Sequence, residues 1–227
     1  MESKTIRTRL MNDQVYDYAD KITLSLSQVI WRVYLKYQKK IISALVRSDS
    51  SSQIKQILVE LYSELDELNI ITFKEIAGRA YGFAKGNKRI DWGEWLFVLL
   101  NKPNSVTQYI YTSEVIRKRD RLLEAVLTIK ADASANSAFD RKAINHAMKR
   151  AFSLWYRQLK QYAIDVTDEA TVQAFHDVHV RYVKWNAAKD DNVCQQCRER
   201  DGIIYDIENV PKKTHYFCRC WLSPVNR

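Results

Sequence analysis

Glycine and proline are scarce in this sequence, with 5 glycines and 3 prolines among 227 residues. Because these residues punctuate turns, their scarcity argues against many tight connections and predicts long helices. Two of the prolines, Pro211 and Pro224, lie within the last twenty residues, so the helical character is expected to end there. The composition therefore predicts a helical body followed by a different C-terminal module.

Long apolar runs are also missing. No run approaches the roughly twenty residues that a membrane span requires, and the N-terminal stretch MESKTIRTRLMNDQ lacks the apolar segment of a signal peptide. We therefore expect no membrane association and a protein made and kept in a reducing cytoplasm, where paired cysteines more often bind metals than form disulfides. The net charge of +9 favours polyanions or acidic protein surfaces without identifying one.

Helical spacing of apolar residues organises most of the chain. After a polar tail over 1–12, the pattern predicts a helix from an Asp13 N-cap to about Leu45, roughly 50 Å long at 1.5 Å per residue. Further helices are expected over 53–68, 71–85, 106–130, 139–164 and 166–179. The segment 86–105 is expected to be irregular, with a Trp-rich patch over 92–100 that forms a short buried helix or a docking surface. The prediction is a mainly α protein, with an elongated helical body over 1–180.

The helix predicted over 139–164 has one basic face. Between Arg141 and Ile164 there is no acidic residue, and a step of 100° per residue separates a basic face from an apolar one. The basic face could contact DNA phosphates or an acidic protein, and the alternative is a solvated outer face. Its candidate partner-contact or DNA-contact residues are Lys142, Lys149, Arg150, Arg157 and Lys160, with His146 beside them.

Near residue 181 the period changes from helical to alternating. Val183, Trp185 and Ala187 alternate with polar residues, which predicts a strand over about 181–187 at the start of a module spanning 181–227. His176 and His179 share a helix face just before it, but no third ligand accompanies them at matching spacing. We interpret them as polar surface histidines.

All 4 cysteines lie in the last 34 residues, in the pattern C-x2-C, a 17-residue spacer, then H-x2-C-x-C. Two ligands separated by two residues can reach one ion from a tight turn, and tetrahedral zinc accepts two such pairs. A hairpin through Ile203-Ile204-Tyr205 would bring the pairs together, giving a zinc-stapled β-hairpin. The favoured ligands are Cys194, Cys197, His215 and Cys218, with Cys220 as an uncertain fifth.

Two alternatives to this ligand set remain open: all four cysteines without His215, or cysteines that bind no metal. A catalytic zinc would need an open position and a general base. The deaminase pattern H-x-E with P-C-x-x-C and the H-E-x-x-H helix are both absent from the sequence. The expected role of the zinc is structural, and we expect no enzymatic activity and no small-molecule substrate.

The same residues resemble the phage Mu F-like minor head proteins, also called the phage head morphogenesis family. The matching order is Trp185, then Asp190/Asp191, C-x2-C, Asp201-Gly202, H-x2-C-R-C and Pro224. In this pattern Gly202 is a candidate for a positive-φ turn, and Arg219 would brace the zinc loops or face a partner.

The resemblance implies a minor structural protein of a tailed bacteriophage head, made in the bacterial cytoplasm and incorporated in the virion. Such proteins associate with the portal or the capsid interior and assist head assembly or DNA packaging and delivery. The alternative is a zinc-stabilised DNA-binding protein, in which Lys149, Arg150 and Arg157 contact phosphates of packaged DNA. A nuclease or toxin is the weakest of the three hypotheses.

Overall fold

The structure is a computed structural model that describes residues 2–85, 90–104, 106, 108–136, 140–188 and 193–225. Among these residues, five helices precede a small C-terminal sheet. Their bounds are α1 Glu2–Val46, α2 Ser51–Lys85, α3 Trp92–Leu100, α4 Tyr111–Asn136 and α5 Arg141–Asp177. The C-terminal elements are β1 Tyr182–Asn186, α6 Gln195–Arg200, β2 Ile204–Asp206 and β3 Trp221–Val225. The mainly α prediction is confirmed.

Helices α1, α2 and α5 pack against one another, α4 lies against α2 and α5, and α3 lies against α2. Their contact surfaces supply one large hydrophobic core, in which Tyr34, Phe73 and Met148 are almost fully buried. Phe73 meets the ring of Tyr111 edge-to-face at 5.8 Å, and Tyr111 meets Tyr162 at 4.9 Å, so α2, α4 and α5 share one aromatic cluster. No described helix is both long and apolar enough to cross a membrane.

The prediction of a separate polar tail over residues 1–12 is wrong, because helix α1 already begins at Glu2. The α1 helix has 45 residues, so it is roughly 68 Å long at 1.5 Å per residue. The helix therefore runs through Asp13, which the sequence predicted as its first boundary.

Two predicted helix breaks are also wrong. Helix α2 runs through residues 69–70, where buried Asn69 donates to the hydroxyl of Tyr111 at 2.9 Å and so finds a partner within the bundle. Helix α5 runs through the sequence Val166-Thr167-Asp168-Glu169, which resembles a helix start. There, Thr167 donates to the carbonyl of Ala163 at 2.7 Å and Asp168 pairs with Lys213, so neither side chain caps a new helix.

The Trp-rich patch forms the short helix α3, as one of the two sequence interpretations predicted. Asp91 caps it by accepting the backbone N–H of Gly93 at 2.9 Å. Leu96 and Leu100 are buried, whereas Phe97 is 69% exposed. The short helix therefore buries one face and leaves the other open.

The C-terminal module contains a three-stranded antiparallel sheet of order β2-β1-β3, so the predicted hairpin is wrong. Strand β1 is central because both later strands pair with it: Val183 faces Tyr205 on one side and Pro224 on the other. The alternation predicted for 181–187 is confirmed, since Val183 and Trp185 are buried between half-buried neighbours. Val183 packs with Phe175 and Ile207 to join the sheet to the end of α5.

Candidate metal centre

Helix α6 presents the first two cysteines. Cys194 is the N-cap of α6, and its Sγ accepts the backbone N–H of Cys197 at 3.4 Å. This cap turns Cys197, in the first turn of α6, towards the interior, where it is fully buried. The predicted positive-φ turn at Gly202 is confirmed by its φ of +79°, and its N–H donates to the carbonyl of Trp185 at 2.9 Å.

The segment before β3 presents the other three candidate ligands. Cys218 and Cys220 are buried, and His215 is half-buried. His215 Nδ1 lies 3.0 Å from the carbonyl of Tyr216, which is the contact of a protonated Nδ1 that leaves the Nε2 lone pair free. The backbone N–H of Ala188 donates to Cys220 Sγ at 3.4 Å.

The structure brings all five candidate side chains together, and we call them the Cys/His cluster: Cys194, Cys197, His215, Cys218 and Cys220. The ligand atoms of Cys194, Cys197 and His215 lie within 4.8 Å of one another, and so do those of Cys197, Cys218 and Cys220. Cys197 therefore belongs to both groups of three and occupies the middle of the cluster.

Two distances within the cluster match the edges of a metal tetrahedron. Cys197 Sγ lies 3.6 Å from Cys218 Sγ and 3.7 Å from His215 Nε2. Thiolates at the usual zinc–sulfur bond length would be about 3.8 Å apart around a tetrahedral ion. Because a disulfide needs about 2.05 Å between sulfurs, all four cysteines are free thiols in this arrangement. The donor set and its spacing fit a zinc ion.

Burial and mutual hydrogen bonds shift the pKa values of three thiols in the cluster. Burial, with the neighbouring Cys218, raises the pKa of Cys197 to about 12. A hydrogen bond to Cys220 raises the pKa of Cys218, and the same bond lowers the pKa of Cys220. Buried thiols resist forming several thiolates side by side, so a cation is the species that would stabilise them in that form.

A buried polar network attaches the segment 211–220 to the helical body. Lys213 Nζ lies 2.6 Å from Asp168 of α5 and donates to the carbonyl of Cys218 at 2.8 Å and the hydroxyl of Tyr16 at 3.0 Å. Tyr16 also donates to Asp168. Burial alone would lower the pKa of Lys213, but the Asp168 carboxylate outweighs it and holds that pKa above its usual range.

Further contacts fasten the same segment. The N–H of Phe217 donates to Gln161 of α5 at 2.8 Å, and Phe217 itself has a φ of +59°. Arg219 lies 3.1 Å from Asp17 and 3.2 Å from Asp20, so it binds α1. The sequence left the role of Arg219 open and carried no signal for Lys213, Gln161 or Tyr16, because their partners are distant in the chain.

The basic face of α5 points partly to solvent and partly to the module. Lys142, Lys149 and Arg150 are exposed. The guanidinium of Arg157 lies 5.1 Å from the ring centre of Tyr216, and Lys160 Nζ lies 5.5 Å from that of Phe217. The C-terminal end of the face therefore contacts the aromatic residues beside the cluster.

Other predicted residues lie apart from the cluster. His176 Nδ1 is 3.5 Å from Glu208, and His179 is exposed, so both histidines lie at the surface as interpreted. Asp190 and Asp191 of the family pattern lie outside the described residues.

Residues 122–223 match the family model described as Phage Mu protein F like protein. Comparisons with curated proteins and with solved structures found no significant match. The matched range begins within α4, well before the tryptophan at which the sequence resemblance starts, and it contains the whole Cys/His cluster. Residues 122–223 of this chain are thus similar to the phage Mu F-like family, in agreement with the resemblance seen in the sequence.

Proposed function

We propose that this chain is a minor head-morphogenesis protein of a tailed bacteriophage. It associates with the portal or the capsid interior and assists head assembly or the packaging and delivery of DNA. The match of residues 122–223 to the phage Mu F-like family carries the proposal. The role is structural rather than enzymatic, and it belongs in the virion and, during assembly, in the host cytoplasm.

The Cys/His cluster holds one structural zinc ion in this proposal. Cys194, Cys197, His215 and Cys218 are the favoured ligands, and the set of four cysteines is the alternative. Both sets contain Cys197, whose sulfur lies 3.6 Å and 3.7 Å from two other donors. When bound, zinc supplies cross-linking between α6 and the segment 211–220, which has no helix or strand of its own.

The module needs such a cross-link because its own core is small. Cys197, Cys218 and Cys220 make up half of the six buried residues in the cluster around Trp185, so thiols occupy positions that apolar side chains fill in larger domains. The zinc-ordered segment then holds Lys213, Phe217 and Arg219 against α1 and α5. Metal binding thereby orients the module on the helical body.

The metal content of the purified full-length chain tests the zinc site. We expect about one zinc per chain by mass spectrometry, and we expect Cys197→Ser to lose it under either ligand set. Cys220→Ser retains zinc if the favoured set is correct, whereas His215→Ala retains it if the four cysteines bind. A zinc-free chain with a folded module would refute the site.

Association with the portal tests the head role. The portal protein of the phage that encodes this chain should co-sediment with it at high salt, where contacts that depend only on net charge are screened. Lack of association with both portal and capsid proteins would refute the structural role, whatever the metal content.

A second candidate function is DNA binding by the basic face of α5. Lys142, Lys149 and Arg150 are exposed and form no ion pair with another described residue. If this face binds phosphates, changing all three residues to Ala should weaken DNA binding. The slope of log K against the logarithm of the salt concentration should also become shallower by about 2–3. The charge-matched control changes three exposed lysines elsewhere that likewise form no ion pair with a described residue, such as Lys21 and Lys39 of α1 and Lys55 of α2.

A further inference from the structure

A cavity of about 470 Å³ lies at the seam between the helical body and the module. Its volume falls within the range of binding pockets for small ligands. Helix α5, the end of α3 and the segment after β2 contribute its walls. The apolar part of the lining comes from Leu99, Pro103, Val172, Ile207, Val210 and Leu222.

Asp165 is a carboxylate of this cavity without a cationic partner. Its oxygens accept hydrogen bonds from the amides of Gln161, at 2.9 Å, and of Asn104, and no lysine or arginine of the described chain lies within ion-pair distance. Burial, with the adjacent charge of Asp168, raises the pKa of Asp165 to about 7. By contrast, Asp168 has its own countercharge in Lys213, at 2.6 Å. A bound cation would therefore stabilise the charged form of Asp165.

Trp185 also lines the cavity, and its buried indole N–H is a second group there that a ligand could pair. The residue is 2% exposed, and its Nε1 has no hydrogen-bond partner among the residues that the structure describes. A buried indole N–H is normally paired, because leaving it unpaired is unfavourable. The indole N–H of Trp185 is therefore available to donate to an acceptor oxygen of a bound molecule.

The distribution of charge selects the ligand. The cavity lining also contains Asp168 and Lys213, which neutralise each other as an ion pair. Its other charged residues, Lys102, Glu169 and Lys212, are exposed, where water screens them, so Asp165 determines the charge of the enclosed part. An anionic ligand would meet Asp165 unfavourably. A lysine or arginine side chain fits instead, because its methylene groups can lie along an apolar wall while its charged end reaches a carboxylate. The peptide carbonyl that accompanies such a side chain offers the acceptor that Trp185 lacks.

We propose that this cavity binds a lysine or arginine side chain presented by a segment of a partner protein, with Asp165 pairing the charge and Trp185 binding a peptide carbonyl. The site goes beyond the head-assembly role, since it specifies the chemistry of a recognised segment and not the identity of the partner. Because the cavity walls come from both the body and the module, an inserted segment would contact both.

The probes for this site are single capped residues added to the zinc-loaded full-length chain. The lysine and arginine derivatives, each N-acetylated and methylamidated, are compared with the capped norleucine derivative, which has a similar stem without charge. The readout is the indole N–H signal of Trp185 in the ¹⁵N-tryptophan spectrum, assigned with Trp185→Phe. We expect a saturable shift with lysine and arginine, and binding of norleucine about tenfold weaker. Butylamine, which has the charge but no carbonyl, should also bind more weakly than capped lysine.

The variant Asp165→Asn keeps the shape of the side chain and removes its charge. We expect it to abolish the preference for lysine over norleucine while norleucine binding persists, and the matched variant Asp120→Asn on α4 should change neither. Absence of a saturable Trp185 shift, equal binding of norleucine, or an unchanged preference in Asp165→Asn would each overturn the proposal. If Asp165→Asn fails to fold, the comparison of lysine with norleucine in the unaltered chain still decides. Failure of portal association would leave this result intact, so the two proposals are tested separately.

Discussion

Removing the ammonium group of Lys213 is the sharpest test of how the module attaches to the helical body. The side chains of Lys213 and Asp168 are only 12% and 27% exposed, and their charged atoms lie 2.6 Å apart. Removal of one partner from a buried ion pair leaves the other charge uncompensated and costs about 3–5 kcal/mol. Because Asp168 retains some exposure, we expect Lys213→Met to lower the free energy of unfolding by about 2–4 kcal/mol.

The assay is urea unfolding in zinc-containing buffer, with metal content measured in parallel so that loss of zinc is distinguished from loss of the ion pair. Lys36→Met is the matched control. Lys36 forms an ion pair of 2.7 Å with Glu64, but these side chains are 52% and 33% exposed, so its loss should cost about 1 kcal/mol or less.

The double variant Lys213→Met with Asp168→Asn separates pairing from packing. Once Asp168 is neutral, loss of the lysine leaves no buried charge, so the double variant should cost at least about 1 kcal/mol less than the sum of the single changes. Strict additivity, or a Lys213→Met effect no larger than that of Lys36→Met, would refute the view that this buried pair holds the module in place.

Three further changes test separate parts of the module and its seam. Gly202→Ala should destabilise the module by about 1 kcal/mol in the same unfolding assay, since a φ of +79° strains any residue with a Cβ; an unchanged stability would contradict the turn. Arg219→Ala should cost at most about 1 kcal/mol, because its pairs with Asp17 and Asp20 are substantially exposed, and a loss as large as that of Lys213→Met would contradict this ranking. The pKa of Asp165 is about 7 in the folded chain against an ordinary 3.8, so the folded state binds more protons and the stability contributed by this group is lost as pH rises towards 7. From pH 5.5 to 8 the unaltered chain should therefore lose on the order of 1–2 kcal/mol relative to Asp165→Asn, provided that zinc content is equal; parallel pH profiles would contradict it.

Local patterns in the sequence were sufficient for much of the fold and for the composition of the cluster. The apolar face of α5, which includes Ile144, Met148 and Leu159, is buried as its helical spacing predicts. Alternation likewise predicted the central strand around Trp185. The five candidate ligands were recognisable because C-x2-C and H-x2-C-x-C are short spacings whose meaning depends on the side chains and not on the rest of the chain.

Tertiary structure decided what these local patterns could not express. The sequence around Thr167 resembles a helix start, yet α5 continues because Asp168 has a stronger partner in Lys213 of the distant segment 211–220. The third member of that network, Tyr16, is 152 residues from Asp168 and 197 from Lys213 in the sequence. Periodicity reports on which face of an element is apolar, but it does not encode which elements meet. The order β2-β1-β3 and the position of Asp165 in the seam, where it has no ion-pair partner among the described residues, follow from that packing, because both depend on contacts between segments that are distant in the sequence.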